Sequence, residues 1–172
     1  QVLDEVMFGP LQIGMDQDTA RKKALEAIET AGLTGFERTN PYDLGLSLRK
    51  MVAIASILAM DTETVIFDEP TIAQDYDGKQ RIKSIIHKLR DQGRTVITIT
   101  HDMNFVADNF ERAIVFSNGC VLRDGATKDV FLQKDVLEEA CLEQPDVMKL
   151  CSELGYRDSF LSIDEFVRAK SV

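Results

Sequence analysis

Val65-Ile66-Phe67-Asp68-Glu69-Pro70 (VIFDEP) is the stretch that sets the fold class. Thr64 to Phe67 is a short run of β-formers that stops at two adjacent carboxylates. Downstream, the spacing predicts a helix from Gly78 to Asp91, stopped at Gly93, and then a second buried strand, Thr95 to Thr100 (TVITIT). Strand, helix and strand of these lengths predict a right-handed βαβ unit with parallel strands, and so an α/β fold.

In open parallel sheets, ligands bind beyond the carboxyl ends of the strands. Asp68 and Glu69 fall at that edge. Nucleotide hydrolysis needs one carboxylate to hold Mg²⁺, usually through water, and another to orient or deprotonate the attacking water. Asp68 suits the first task and Glu69 the second. The plainer alternative is two solvated residues in the turn after a strand. His101 follows TVITIT directly and precedes Asp102, so it belongs to the same edge. An imidazole there can contact a γ-phosphate and hold water in line. Taken alone, it reads better as a helix-capping loop residue. The interval from Asp68 to His101 holds one crossover helix and one strand, which lets the two positions converge.

On the amino-terminal side, residues 1–14 predict a short helix with Val2, Val6 and Met7 on one face, broken at Gly9-Pro10. Asp16 or Asp18 caps a second helix whose inner face is Ala20, Ala24, Ala27, Ile28 and Ala31, with Gly32 at the left-handed position after it. A polar loop through Asn40-Pro41 leads to a helix from about Ser47 to Met60. On the carboxyl side, a helix near Met103 to Asn109 precedes two strands, Ala113 to Phe116 and Cys120 to Arg123. Asn118-Gly119 between them is a strong hairpin signal. Thr127 is placed to cap a helix running through Leu132. The remaining residues are acidic and mostly helical in pattern, interrupted by Pro145. Ser162 and Glu165 form a capping box for a last helix.

Composition narrows the function classes. The chain has 172 residues, 44% hydrophobic and 28% charged, with a net charge of −9. That balance opposes a nucleic-acid surface, which needs clustered Lys and Arg to displace counterions. The longest apolar run, Met51 to Met60, is about half of the roughly 20 residues a membrane-spanning helix requires. No signal-peptide pattern is visible, so any membrane role is expected to go through a partner. Cys120, Cys141 and Cys151 have no metal-like spacing and are expected to be reduced and structural.

Those motifs, in that order, resemble the ATP-hydrolysing subunits of ABC transporters. VIFDEP resembles a Walker B motif with its catalytic Glu. Thr71 to Asp75 (TIAQD) resembles the D-loop, and Thr98 to Asp102 (TITHD) the switch-histidine loop. Asn40 to Met60 resembles the signature region and the helix after it. Together with VLDEVMFGPLQIGM near the start and LSIDEFV (Leu161 to Val167) near the end, the likeness is closest to the energy-coupling-factor and cobalt-type uptake ATPases. It covers nearly the whole chain.

The departures from the family pattern are specific. The signature LSGGQ stands here as Leu44-Gly45-Leu46-Ser47-Leu48. Gly45 takes the usual Ser position, and Leu46 and Ser47 the two Gly positions. In the family this loop presents a hydroxyl and backbone N–H groups to ATP held by the partner cassette, as an anion site at a helix start. Two readings stand: Ser47 supplies the hydroxyl after a small shift, with Arg49 and Lys50 adding positive charge, or the loop is a degenerate half-site. In the D-loop, Gln74 replaces the usual Leu and Tyr76 the usual Pro, while Asp75 remains. No G-x-x-x-x-G-K-[ST] phosphate loop occurs in the sequence. The chain starts at Gln1 and on a helical pattern already under way. It is therefore expected to begin just after the Q-loop of a longer protein, the rival being a naturally shortened subunit.

The resemblance implies an α/β fold: the C-terminal part of a P-loop NTPase (RecA-like) core with parallel strands. It implies three regions: a helical signature subdomain (1–61), the half-core with Walker B, D-loop and switch histidine (62–133), and a helical extension (134–172). It implies Mg-ATP hydrolysis in the intact protein. Asp68 would take the metal; Glu69 and His101 the catalysis; and Gly45, Ser47 and Asp75 the nucleotide contacts. The implied partners are a second ABC ATPase subunit, identical or not, and a transmembrane component, with no nucleic acid. The implied location is cytoplasmic, on the inner face of the membrane. The fragment alone would be inactive. Phe8-Gly9-Pro10 is either core or part of a groove that receives the membrane component. The rival functions are a non-catalytic interaction subunit and a soluble ABC ATPase acting on DNA or ribosomes. The transported substrate is not legible.

Overall fold

The computed structural model describes residues 1–156 and 158–170. The described residues divide into two compact units, one from Gln1 to Ile99 and one from Thr100 onward.

The first unit begins with three helices packed on one another: α1 (Val2–Gln12), α2 (Gln17–Thr30) and α3 (Leu46–Ala59). Val2, Val6 and Met7 of α1 are buried, as are Ala20, Ala24, Ala27 and Ile28 of α2 and Met51, Val52, Ala55 and Ala59 of α3. Small residues on α2 let its backbone approach its neighbours closely. Asp16 is the N-cap of α2, accepting from the Thr19 amide at 3.0 Å. Gly32 takes the left-handed conformation after it, at φ 67°.

Helix α1 is not broken at Gly9-Pro10. It continues to Gln12 with Pro10 buried inside its last turn. A proline forfeits one intrahelical bond there, and packing outweighs that loss. Gly9 suits the same contact, because a Cβ at this position would lie 3.0 Å from the Met60 side chain, which would have to shift.

Strand β1 (Thr64–Asp68), helix α4 (Tyr76–Asp91) and strand β2 (Thr95–Ile99) complete the unit. The strands are parallel, in the register Thr64↔Thr95 through Asp68↔Ile99. Val65 and Phe67 are buried, whereas Ile66, Ile97 and Ile99 on the other face are 61%, 46% and 56% exposed. Helix α4 starts two residues earlier than its apolar pattern suggests, because Asp75 caps it by accepting from the Gly78 amide at 2.8 Å. Strand β2 ends one residue earlier than expected.

Polar ties fasten α4 and β2 to the helical part. Asp61, just after α3, accepts from Lys23 at 2.6 Å and is also paired with Arg94, while Lys88 donates to the Thr30 hydroxyl at 2.9 Å. The Lys23 hydrogen bond, assisted by Arg94, holds the Asp61 carboxyl below the usual range. A lowered carboxyl value adds stability above the unfolded value of about 3.9, and that stability is lost as pH falls through the folded value. The pairs are about one-third exposed, so solvent screening limits them to about 1 kcal/mol. Asp61→Asn should therefore lower urea stability by about this much at pH 7 and flatten the acid limb below pH 4. Identical acid limbs in the two proteins would remove Asp61 from the account.

The second unit centres on the hairpin β3 (Arg112–Ser117) and β4 (Cys120–Ala126), which pair antiparallel. Asn118 and Gly119 turn it with φ of 50° and 77°, both positive, as a two-residue type I′ turn requires. Around it lie α5 (Met103–Asn109), α6 (Thr127–Phe131), α7 (Lys134–Glu139), α8 (Asp146–Glu153) and α9 (Ile163–Lys170). Ala107, Val115, Val130, Phe131, Leu137 and Met148 form its core.

Thr127 does not cap α6. It is the first helical residue, buried, and its hydroxyl donates to the Phe110 carbonyl at 2.6 Å. Ser162 does cap α9, accepting from the Glu165 amide at 3.1 Å, while the Glu165 carboxylate accepts from the Leu161 amide at 2.7 Å. Of the cysteines only Cys151 is buried. Cys120 and Cys141 are exposed, so a place in the core, expected for all three, holds for Cys151, and none of the three is in a disulfide.

Candidate functional site

The first unit brings Asp68 and Glu69 to the carboxyl end of a parallel pair. Asp68 is the last residue of β1 and lies on its exposed face. Its carboxylate is on the solvent side of the sheet edge, and a carboxylate is the oxygen donor that a hard cation takes. Among the described residues no group of three or more metal-binding side chains forms.

Glu69 leaves the strand in a left-handed conformation, with φ 45°. Such a backbone is costly for a residue with a Cβ and persists only where its surroundings over-determine it. Here the Glu69 amide donates to the Ile99 carbonyl at 2.9 Å, which ties the residue to the end of β2. Its carbonyl accepts from Ile72 at 3.4 Å, and Ala73 is a second left-handed residue, with φ 58°. The loop from Glu69 to Asp75 is thus strained at two positions. Sequence patterning gave no sign of this, because neither residue type announces a positive φ.

The same loop is held by the first turn of α3. Ser47 donates its hydroxyl to Gln74 Oε1 at 2.7 Å, and Gln74 Nε2 reaches the Ser47 carbonyl at 3.5 Å. Lys50 Nζ donates to the Ile72 carbonyl at 2.7 Å. Gly45 is the N-cap of α3, exposed, with open space around its Cα. Of the residues expected to contact nucleotide, Gly45 is open, Ser47 is engaged by Gln74, and the Asp75 carboxylate caps α4. Lys50 and Gln74 stand out in the sequence as a charge and a departure from the D-loop pattern, but their bonds across the loop do not, and nothing marks Gly78, which is the first residue of the expected helix.

His101 opens the second unit and is exposed. Asp102 beside it is the N-cap of α5, accepting from the Phe105 amide at 3.0 Å. Both line a cleft with Asn104, Glu143, Asp146 and Lys149. Its wall is firm: Asn104 Nδ2 donates to Asp146 at 2.7 Å and Asn104 Oδ1 accepts from the Asp146 amide at 2.9 Å. The Asn104 bond, then Lys149, keeps the Asp146 carboxyl below its usual value. That the start of α8 borders the histidine was not foreseen, since the two are some forty positions apart in sequence.

Parallel strands joined through a helix, with an acidic pair at their carboxyl edge, place the first unit in the α/β class. The fold matches ATP-binding cassettes, and the sequence narrows the class further. This chain is a homologue of the ABC transporter ATP-binding proteins, energy-coupling-factor ATPases included. It is 35% identical over 158 residues to the energy-coupling factor transporter ATP-binding protein EcfA of Methanocaldococcus jannaschii, covering 92% of this chain and 57% of that protein. The solved structure of cbiO1 from Clostridium perfringens, part of the ABC transporter complex cbiONQ, superposes with a TM-score of 0.70 at 27% identity, over 90% of this chain and 61% of that one. A dimeric ATP-binding cassette, MJ0796, in a post-hydrolysis state bound to ADP and Pi, superposes with a TM-score of 0.65 at 30% identity, over 74% of this chain and 56% of that one. The chain spans 29% to 63% of the lengths of the curated relatives it matches. No family model matches it. Among the described residues, no helix is long and apolar enough to cross a membrane.

Proposed function

We propose that this chain is the part of an ABC uptake ATPase that activates water for attack on the γ-phosphate of Mg-ATP. The observation that carries the reading is the parallel register Asp68↔Ile99, with Glu69 bonded to Ile99 immediately beyond it. Asp68 would hold the Mg²⁺ shell, and the bound metal would neutralise charge on the phosphates. Glu69 would accept a hydrogen bond from the attacking water and draw its proton. His101 would donate to the γ-phosphate. The exposed start of α3 at Gly45 would face the nucleotide of a second cassette, identical or not, through its free N–H groups. Closure of that pair would drive a transmembrane component for vitamin or metal uptake, with this subunit peripheral on the cytoplasmic face.

The bare face of β1 and β2 supports a larger assembly. Parallel sheets are normally covered on both faces, and Ile66, Ile97 and Ile99 form an uncovered apolar strip. In the intact cassette this strip would be covered by segments that the relatives carry beyond the matched region. The test is a magnesium titration of ATP turnover in the intact protein. Asp68→Asn should raise the Mg²⁺ needed for half-maximal turnover about 10–100-fold, the range for a ligand acting through bound water. An unchanged magnesium requirement would sink the assignment of Asp68.

A further inference from the structure

We infer that Ser47, Gln74 and Gly78 form an intrachain clamp that positions Glu69, so that the first turn of α3 controls the geometry of the water-activating carboxylate. The inference rests on the proposed role of Glu69, and adds positioning residues to that site.

Three observations carry it. The Ser47 hydroxyl is already spent inside the chain, on Gln74 Oε1 at 2.7 Å. From Gln74 a continuous path of bonds leads back to Glu69: the Gln74 amide donates to Thr71 at 3.2 Å, and the Ile72 amide donates to Glu69 at 3.4 Å. Lys50 closes the same loop from α3, through the Ile72 carbonyl at 2.7 Å. A path of this kind explains how Glu69 and Ala73 are held left-handed, since strain of that kind survives only where neighbours fix it.

Gly78 supplies the independent mark. It lies buried in the first turn of α4, where glycine is a poor helix former. A Cβ there would lie 2.1 Å from Gln74 Oε1. The glycine is there to make room for the Gln74 amide. Its φ is not positive, so the crowding is steric: Gln74 Oε1 is the nearest atom, and the capping Asp75 Oδ1 would lie 3.0 Å from the same Cβ.

Hydrogen exchange over residues 69–75 of the intact protein, read by mass spectrometry, separates the clamp from ordinary helix packing. Gln74→Ala and Gly78→Ala should each speed exchange there about three- to tenfold, the loss expected for one part-buried side-chain hydrogen bond. Ala normally stabilises a helix relative to Gly, so a faster loop in Gly78→Ala is not what a merely structural role predicts. In the Gln74→Ala background, Gly78→Ala should add much less loosening than in the parent, because the nearest atom is gone and the tight contact left is Asp75 Oδ1 at 3.0 Å. Both variants should lower kcat about 10–100-fold with little change in the KM for ATP, as a displaced catalytic group does. Ser47→Ala combined with Gln74→Ala should cost no more than either alone.

Unchanged or slower exchange in Gly78→Ala overturns the clamp. Faster exchange with unchanged kcat overturns its link to Glu69. Full turnover in Glu69→Gln would instead overturn the role of Glu69, and the exchange result would still decide whether the clamp exists.

Discussion

Glu69→Gln should lower ATP turnover by the intact protein about 10²–10⁴-fold, the range for a positioned general base. The amide keeps the size and the left-handed backbone of Glu69 but cannot take a proton. Asp68 stays in place, so nucleotide and Mg²⁺ should bind as before, and the KM for ATP should change little. The loss would appear as lower kcat and lower kcat/KM in equal proportion, the mark of an interaction made only in the transition state. Single-turnover kinetics with Mg-ATP provides the measurement. Turnover within a factor of about three of the parent, smaller than any loss a positioned base produces, would mean that water is activated elsewhere.

Phe131→Ala should cost the second unit about 3–5 kcal/mol, the usual penalty for deleting a buried aromatic ring. Phe131 is 1% exposed and packs with Val115, Val130, Leu137 and Met148, drawn from the hairpin and three helices. Its carbonyl accepts from Gln144 Nε2 at 2.7 Å, and that backbone tie survives the substitution. The loss therefore reports side-chain packing alone. Against a typical domain stability of about 5–15 kcal/mol it is large enough to unfold the unit partly at ambient temperature. Urea titration followed by hydrogen exchange in β3 and β4 would show it. A loss under about 1 kcal/mol would mean that the cavity collapses at little cost and that Phe131 is not the centre of the core.

Much of the site was legible because its chemistry is local in sequence. Two carboxylates after Phe67 and an imidazole after Thr100 need only strand endings to be placed, and strand endings follow from β-forming runs. The turn at Asn118-Gly119 is legible for the same reason, and so is a cap at Asp16 or Asp18, of which the structure uses Asp16, since each joins groups a few residues apart. What failed was also local in appearance. Gly9-Pro10 reads as a break until Met60 packs over it, and Thr127 reads as a cap until the Phe110 carbonyl takes its hydroxyl.

From sequence alone come the α/β class, the parallel pairing of the runs Thr64 to Phe67 and Thr95 to Thr100, the three-helix amino-terminal region and the residues proposed for Mg-ATP. Periodicity and strand endings are properties of the chain itself, so these needed no partner to be read. Tertiary structure alone decided that Ser47 turns inward to Gln74 and that Asp61 gathers Lys23 and Arg94. It alone set Glu69 left-handed and brought α8 to the cleft beside His101. Each of these depends on groups distant along the chain, or on backbone strain that only such neighbours can sustain. A hydroxyl, a carboxylate or a positive φ has its meaning fixed by what folding places against it.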